Sequence, residues 1–286
     1  MGRLRERMAE DLRLRGRAPI TIRAYVRWAQ RFSEYYGVSP ARLGEREVRG
    51  FLVHITKERG VSPSSHGVCL GALKFLYSVT LGRPEVVARI PFPKIPVKLP
   101  EIMTGSEVQR LLGCITSIRC RVICTLAYGA GLRVSEACRL KPDDIDAGRG
   151  LVYVRQGKGA RDRQVALGKK LLELLREYWK IARPEGPYLF PGDVTGEPIT
   201  RQAVYLAFKQ AARAARIRKR VSPHTLRHSY ATHLLEMGAN LRSIQVVLGH
   251  AQVGTTVRYV RVARGHIAGM TTPLDVLGTK EGELLG

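Results

Sequence analysis

His224 and Arg227 stand one helical turn apart in the stretch SPHTLRHSY, just after a serine able to cap a helix and a proline suited to its first position. Residues at i and i+3 share a helix face, so both side chains point the same way. A helix start already offers free backbone N–H groups and a partial positive charge. An arginine and a histidine added there make a phosphate site. Downstream, Gly249 stops the next helix and leaves His250 on a turn, and Tyr259 follows in a third helical segment. Upstream, Arg133 and Glu136 repeat the i, i+3 spacing, and Lys158 sits between Gly157 and Gly159 at a predicted hairpin turn. Taken singly, each feature has an ordinary explanation. An Arg–Glu pair at that spacing is commonly a surface ion pair worth little. A lysine at a glycine-flanked turn is common, and Tyr259 is one of eleven tyrosines.

Metal binding is a weaker reading of the same histidines. His224 and His228 are i, i+4 and fit one zinc ion, but His233 falls about 180° around the helix from His224. No third ligand is placed by the local sequence, so no metal is expected, and His228, His233, His54 and His66 read as structural or surface residues.

The elements that must position these residues are mostly helical. Leu234, Leu235 and Met237 precede Gly238, which closes the helix of His224 in the left-handed region. Asn240 caps the next helix, whose Leu241, Ile244, Val247 and Leu248 form an apolar stripe. Residues 151 to 167 alternate as two strands around Lys158. Helices are expected near 104 to 112, 118 to 128, 171 to 181 and 202 to 217, the last ending in the basic run ARAARIRKR, whose position just before His224 favours contact with nucleic acid. On the N-terminal side, four helices are expected near 3 to 17, 20 to 36, 45 to 58 and 62 to 81, forming a small bundle. Between the halves lies PFPKIPVKLP, residues 91 to 100, an extended and semi-rigid linker.

The charge names the partner class. Among 286 residues, Lys and Arg total 48 against 24 Asp and Glu, giving +24. Such a balance points to a polyanion, most simply nucleic acid. Arginine far outnumbers lysine, which suits bidentate phosphate binding. Both sides of the linker are strongly basic, as expected of two domains clamping a duplex. The five cysteines are odd in number and form no C-x-x-C pair, so reduced thiols are expected. The start, MGRLRERMAEDL, lacks the apolar run of a signal peptide, and no stretch is long enough to span a membrane, so a cytoplasmic protein is expected.

Together the residues carry a resemblance. His224-Thr225-Leu226-Arg227, Leu248-Gly249-His250 and Tyr259 match, in order, the H-x-x-R, L-G-H and tyrosine pattern of the tyrosine recombinase (phage integrase-like) superfamily. Gly131-Leu132-Arg133-Val134-Ser135-Glu136 resembles its G-x-R-x-x-E box, and residues 151 to 167 resemble its lysine-bearing hairpin. The likeness spans essentially the whole chain, and the size is similar to that of the compact Xer-type branch. It implies a mainly α fold with a small antiparallel β-sheet in the catalytic domain, arranged as a two-domain C-shaped DNA clamp. The helical core-binding (SAM-like) domain would span 1–90, the linker 91–100, and the catalytic domain 101–286. A tail from about residue 268 would dock on a neighbouring subunit.

The resemblance also implies a chemistry. Tyr259 would attack the scissile phosphate of double-stranded DNA, giving a 3′-phosphotyrosyl link and a free 5′-OH, without cofactor, metal or ATP. Arg133 and Arg227 would clamp the phosphate, with Glu136 in support. His224 and His250 would add hydrogen bonds and move protons, and Lys158 would protonate the leaving oxygen. The expected assembly is a homo-oligomer, a dimer or a tetramer on paired DNA sites, and the expected task is resolution of chromosome or plasmid dimers at a dif-like site. Alternatives are a mobile-element integrase, a type IB topoisomerase-like enzyme and, from another class, a basic architectural DNA-binding protein.

Overall fold

The computed structural model describes residues 2–96, 99–155 and 162–249. Lys158, His250, Tyr259 and the segment from about residue 268 lie outside the described residues. The chain divides into two compact units, Met1–Val97 and Lys98–Gly286.

In the first unit, α1 (Gly2–Leu14), α2 (Pro19–Tyr36), α3 (Glu45–Lys57) and α4 (Pro63–Phe75) form the expected bundle. A π-helical turn at Leu76–Thr80 continues α4, and a short α5 (Glu85–Ala88), not foreseen from the sequence, follows it. Helix starts follow the local chemistry: Pro19 and Pro63 occupy first turns, and the Ser62 hydroxyl accepts the Ser65 N–H. The core is aromatic. Phe32 meets Tyr36, Phe51 and Tyr77 edge to face, at centroid distances of 5.6, 5.3 and 6.3 Å. The buried Tyr77 hydroxyl donates to the Pro40 carbonyl, so its polar end is satisfied.

The second unit is built on α7 (Ile118–Gly129), which follows α6 (Gly105–Gly113) and buries Val122, Ile123, Cys124, Leu126 and Ala127. The single turn of α8 (Val134–Ala137) follows, then a three-stranded antiparallel sheet in the order β1 (Ile145–Asp146), β2 (Leu151–Val154), β3 (Arg163–Ala166). The two strands of the expected hairpin are β2 and β3, in a register that pairs Val152 with Val165, and β1, not foreseen, adds to the other edge of β2. Val152, Val154 and Val165 are buried, as alternation requires. Helices α9 (Lys169–Ala182), α10 (Arg201–Ala214), α11 (Pro223–Glu236) and α12 (Leu241–Leu248) complete the described part. Helices α9, α10 and α11 pack on α7, while α12 packs on α11 and β3. All five cysteines are free thiols. Among the described residues, no helix is long and apolar enough to cross a membrane.

Candidate active site

The site begins where α7 ends. Gly131 has φ +62°, and a Cβ there would lie 2.5 Å from Cε1 of Tyr230, so both backbone and space demand glycine. The turn delivers Arg133 to the cap position of α8 rather than into the helix. Its N–H donates to Oε2 of Glu136 at 2.8 Å, and its Nη1 donates to Oε1 at 2.7 Å. One carboxylate therefore caps its own helix and grips the preceding guanidinium. What remains of the Arg133 surface opens on two hollows of about 630 and 700 Å³. Arg139, Lys141 and Arg155 line the first, and Arg201, Tyr205 and His224 the second.

Glu136 is the hub. Its side chain is 8% exposed and faces three arginines. Arg163 on β3 grips it bidentately, Nη1 to Oε1 at 2.9 Å and Nη2 to Oε2 at 2.7 Å. Arg227 on α11 brings Nη1 to 3.9 Å from Oε2. Desolvation works against the carboxylate charge, but the hydrogen bonds and charge of Arg163, with those of Arg133, outweigh it and hold the pKa at about 2.

Helix α11 supplies the other expected cation pair. The Thr225 hydroxyl accepts the Ser222 N–H at its start. Arg227 is buried, 1% exposed, and donates to the carbonyls of Gly131 and Leu248. It joins the turn before α8 to the end of α12. Arg227 and His224 are expected to open together on one face; of the two, His224 is exposed at the rim and Arg227 is buried. Desolvation first, then the charges of Arg227 and Arg133, push the His224 imidazole below its ordinary value. Its ring stands edge to face on His228, with centroids 4.7 Å apart.

Helix α12 starts as expected, with the Asn240 side chain accepting the Arg242 N–H at 2.7 Å. It ends at Gly249, φ +59°, where a Cβ would lie 2.8 Å from Cδ of Arg163. Nε of Arg163 donates to the Val247 carbonyl at 3.0 Å.

The structure thus brings Arg133, Glu136 and Arg227 together with His224 beside them. Arg163 was missed by the sequence reading. The signal was present: strand alternation puts residue 163 on the face of buried Val165, an inward position for a charged side chain. The basic run before His224 is also more structural than expected, because Lys219 binds Glu107 at 2.6 Å and the Ile102 carbonyl at 2.9 Å. Among the described residues, no cluster of three or more His, Cys, Asp or Glu is placed to hold a metal ion.

An arginine held rigid by a buried carboxylate, open to a cationic hollow that also contains a histidine, is suited to gripping a phosphodiester and stabilising charge on its oxygens. Family comparison agrees. Residues 101–266 match the phage integrase family, and residues 4–85 match the phage integrase N-terminal SAM-like domain. The chain belongs to the phage integrase family, the tyrosine recombinases, enzymes that cut and rejoin DNA. It is 45% identical over 275 residues to the putative integrase/recombinase y4qK of Sinorhizobium fredii, covering 96% of this chain and 89% of that one. It is 40% identical to the tyrosine recombinase XerA of Thermococcus kodakarensis, covering 90% and 89%. Among solved structures, the XerH site-specific recombinase bound to palindromic difH in a post-cleavage complex is 25% identical, with a TM-score of 0.70 over 88% of this chain and 79% of that one.

Proposed function

We propose that this chain is a site-specific recombinase of double-stranded DNA in which Tyr259 is the nucleophile. The observation that carries the reading is the Glu136-held Arg133 beside His224, at the start of the same chain order of motifs that ends in Tyr259. Arg133 binds the scissile phosphate, and Glu136 fixes it there. Arg227 adds positive charge from beneath the site and, on DNA binding, exchanges a backbone carbonyl for a phosphate oxygen. A free tyrosine has a pKa of about 10, so phenolate formation depends on this cationic surround. His224 and His250 donate to the developing charge, and Lys158 protonates the departing 5′-oxygen. One phosphodiester becomes another, so the residues need only bind, orient and move protons.

The unit of action is a homo-oligomer of two or four copies, because a palindromic site such as the one bound by XerH presents two equivalent halves. The N-terminal domain, taken as 1–90, and the catalytic domain, 101–286, clamp the duplex through their basic surfaces, joined by the 91–100 linker. The segment from about residue 268 docks on a neighbouring copy. The likeness to XerH, which is bound to difH, supports a dif-like target, and on this reading the chain resolves chromosome or plasmid dimers in the cytoplasm. A mobile-element integrase is the second reading, favoured by the higher identity to the Sinorhizobium integrase/recombinase.

The test is a nicked suicide duplex of the candidate site, incubated with wild type and Tyr259→Phe and resolved on a denaturing gel. A covalent adduct in wild type alone is the expected result. Adducts that persist in Tyr259→Phe would move the nucleophile elsewhere, with Tyr230 the first alternative. Excision between paired identical sites, against insertion into an unrelated target, separates the two biological tasks.

A further inference from the structure

We propose that Arg163 is a positioning residue for DNA cleavage, coupling the catalytic hairpin, the Arg133–Glu136 pair and the end of α12 into one unit. The inference rests on the recombinase reading above. Arg163 is 9% exposed at its side chain and sends three N–H groups to acceptors on two other elements. Two go to the separate oxygens of Glu136, and one goes to the Val247 carbonyl, two residues before Gly249. Its Cδ also lies against Gly249, where a Cβ would approach to 2.8 Å. The residue after Gly249 is His250, and the turn after β2 carries Lys158. One side chain thus joins β3 to the Arg133–Glu136 pair and to the end of α12.

Geometry and charge give it two tasks. Each Glu136 oxygen accepts from both Arg163 and Arg133. Without Arg163 the carboxylate keeps its two bonds to Arg133 and the 3.9 Å approach of Arg227, but loses the bidentate fork that fixes it, and Arg133 with it, against β3. A reacting group displaced by about 1 Å can lose on the order of 10²-fold in rate. Glu136 also carries one negative charge. Shared with Arg163, it leaves Arg133 more of its attraction for phosphate; without Arg163, more of its charge falls on Arg133 and Arg227. The groups facing Glu136 are Arg133, Arg163 and Arg227, with the His224 imidazole near enough to feel its charge.

The test uses the full chain with Arg163→Gln and Arg163→Lys. Three quantities are read: single-turnover adduct formation at saturating protein, affinity for the same duplex, and the Glu136 carboxyl titration followed by carbon-13 NMR. Arg163→Gln is expected to slow cleavage on the order of 10²-fold while the dissociation constant moves less than about 3-fold. Arg163→Lys, which restores charge but not the fork, should recover part of that rate. In Arg163→Gln the Glu136 titration should move up from about 2 toward the ordinary carboxylate range, with cleavage gaining a new acid-side loss. If Arg163→Gln does not fold, Arg163→Lys alone decides. Wild-type cleavage in whichever folded variant is read would overturn the role, as would a rate loss fully matched by weaker DNA binding. Absence of an adduct from the wild type would instead sink the recombinase reading, and it is seen before either variant is compared.

Discussion

The two units place their charges differently. In the first, the Arg–Glu ion pairs sit on the surface: Glu45 with Arg49 at 2.7 Å, one turn apart on α3, and Arg83 with Glu85 at 3.7 Å. Its interior is Phe32, Phe51, Leu70, Leu73 and Tyr77. In the second, Glu136, Arg163 and Arg227 lie beneath the surface, bound to one another, to the partly exposed Arg133 and to backbone carbonyls. A charge at the surface can follow a DNA backbone by adjusting its rotamer, and it weakens with salt. A buried charge cannot adjust, and that is its use: it holds Arg133 to one geometry. The first unit leaves its paired charges free to adjust; the second holds a cation still.

The largest expected effect is in the first unit. Phe32→Ala removes a fully buried ring with three aromatic partners. It should cost about 3–5 kcal/mol of stability. No titrating group is involved in that loss, so denaturant melts at pH 7 and pH 4 should show the same decrement. A decrement that changes between those pH values would mean that the aromatic core is coupled to charge, and the contrast between the units would fail.

The aromatic bundle was legible because periodicity writes it directly: Ile22, Tyr25, Val26, Ala29 and Phe32 repeat at helical spacing, and Ala29 and Phe32 are buried. Arg133, Glu136, His224 and Arg227 were legible as ordered motifs. Their arrangement was not, because spacing shows which residues share a face, not which acceptors lie opposite. Arg227 meets the carbonyls of Gly131 and Leu248, residues far apart in sequence. Arg163 went unnoticed because the nearby glycines and Lys158 drew attention to the turn, whereas the strand after it carries the buried charge.

The next effect belongs to the second unit and depends on pH. Glu136 titrates at about 2, below its ordinary value, because Arg163 and Arg133 outweigh its desolvation. A depressed carboxylate contributes stability that is present above its unfolded pKa and lost as pH falls through the folded one. The contribution is on the order of 2–3 kcal/mol. Denaturant melts from pH 7 to pH 2 should therefore show the second unit losing stability below about pH 4.5. Glu136→Gln should lower stability at neutral pH, because it leaves buried arginines without their counter-charge. Its deficit should shrink as the wild type acidifies. A deficit that stays constant down to pH 2 would mean that Glu136 acts through packing rather than charge.

The smallest expected effect returns to the surface. Glu45→Gln breaks the exposed pair with Arg49 on α3, whose side chains are 35% and 50% exposed. Solvent screens the pair, so the loss should be about 0.5 kcal/mol or less and should vanish in high salt. DNA affinity should rise slightly or stay level, since the change removes one negative charge from a basic unit and frees Arg49 from that carboxylate. Glu136→Gln makes the same chemical change, carboxylate to amide, on a side chain only 8% exposed. Measuring both variants for cleavage rate and affinity isolates burial as the variable. The exposed change should raise affinity slightly at most while leaving cleavage at saturating protein within about 2-fold. The buried change should slow cleavage with affinity nearly kept, because it loosens Arg133 without removing any cation. If Glu45→Gln slows cleavage as much as Glu136→Gln does, position within the fold is not what separates a binding charge from a positioning one.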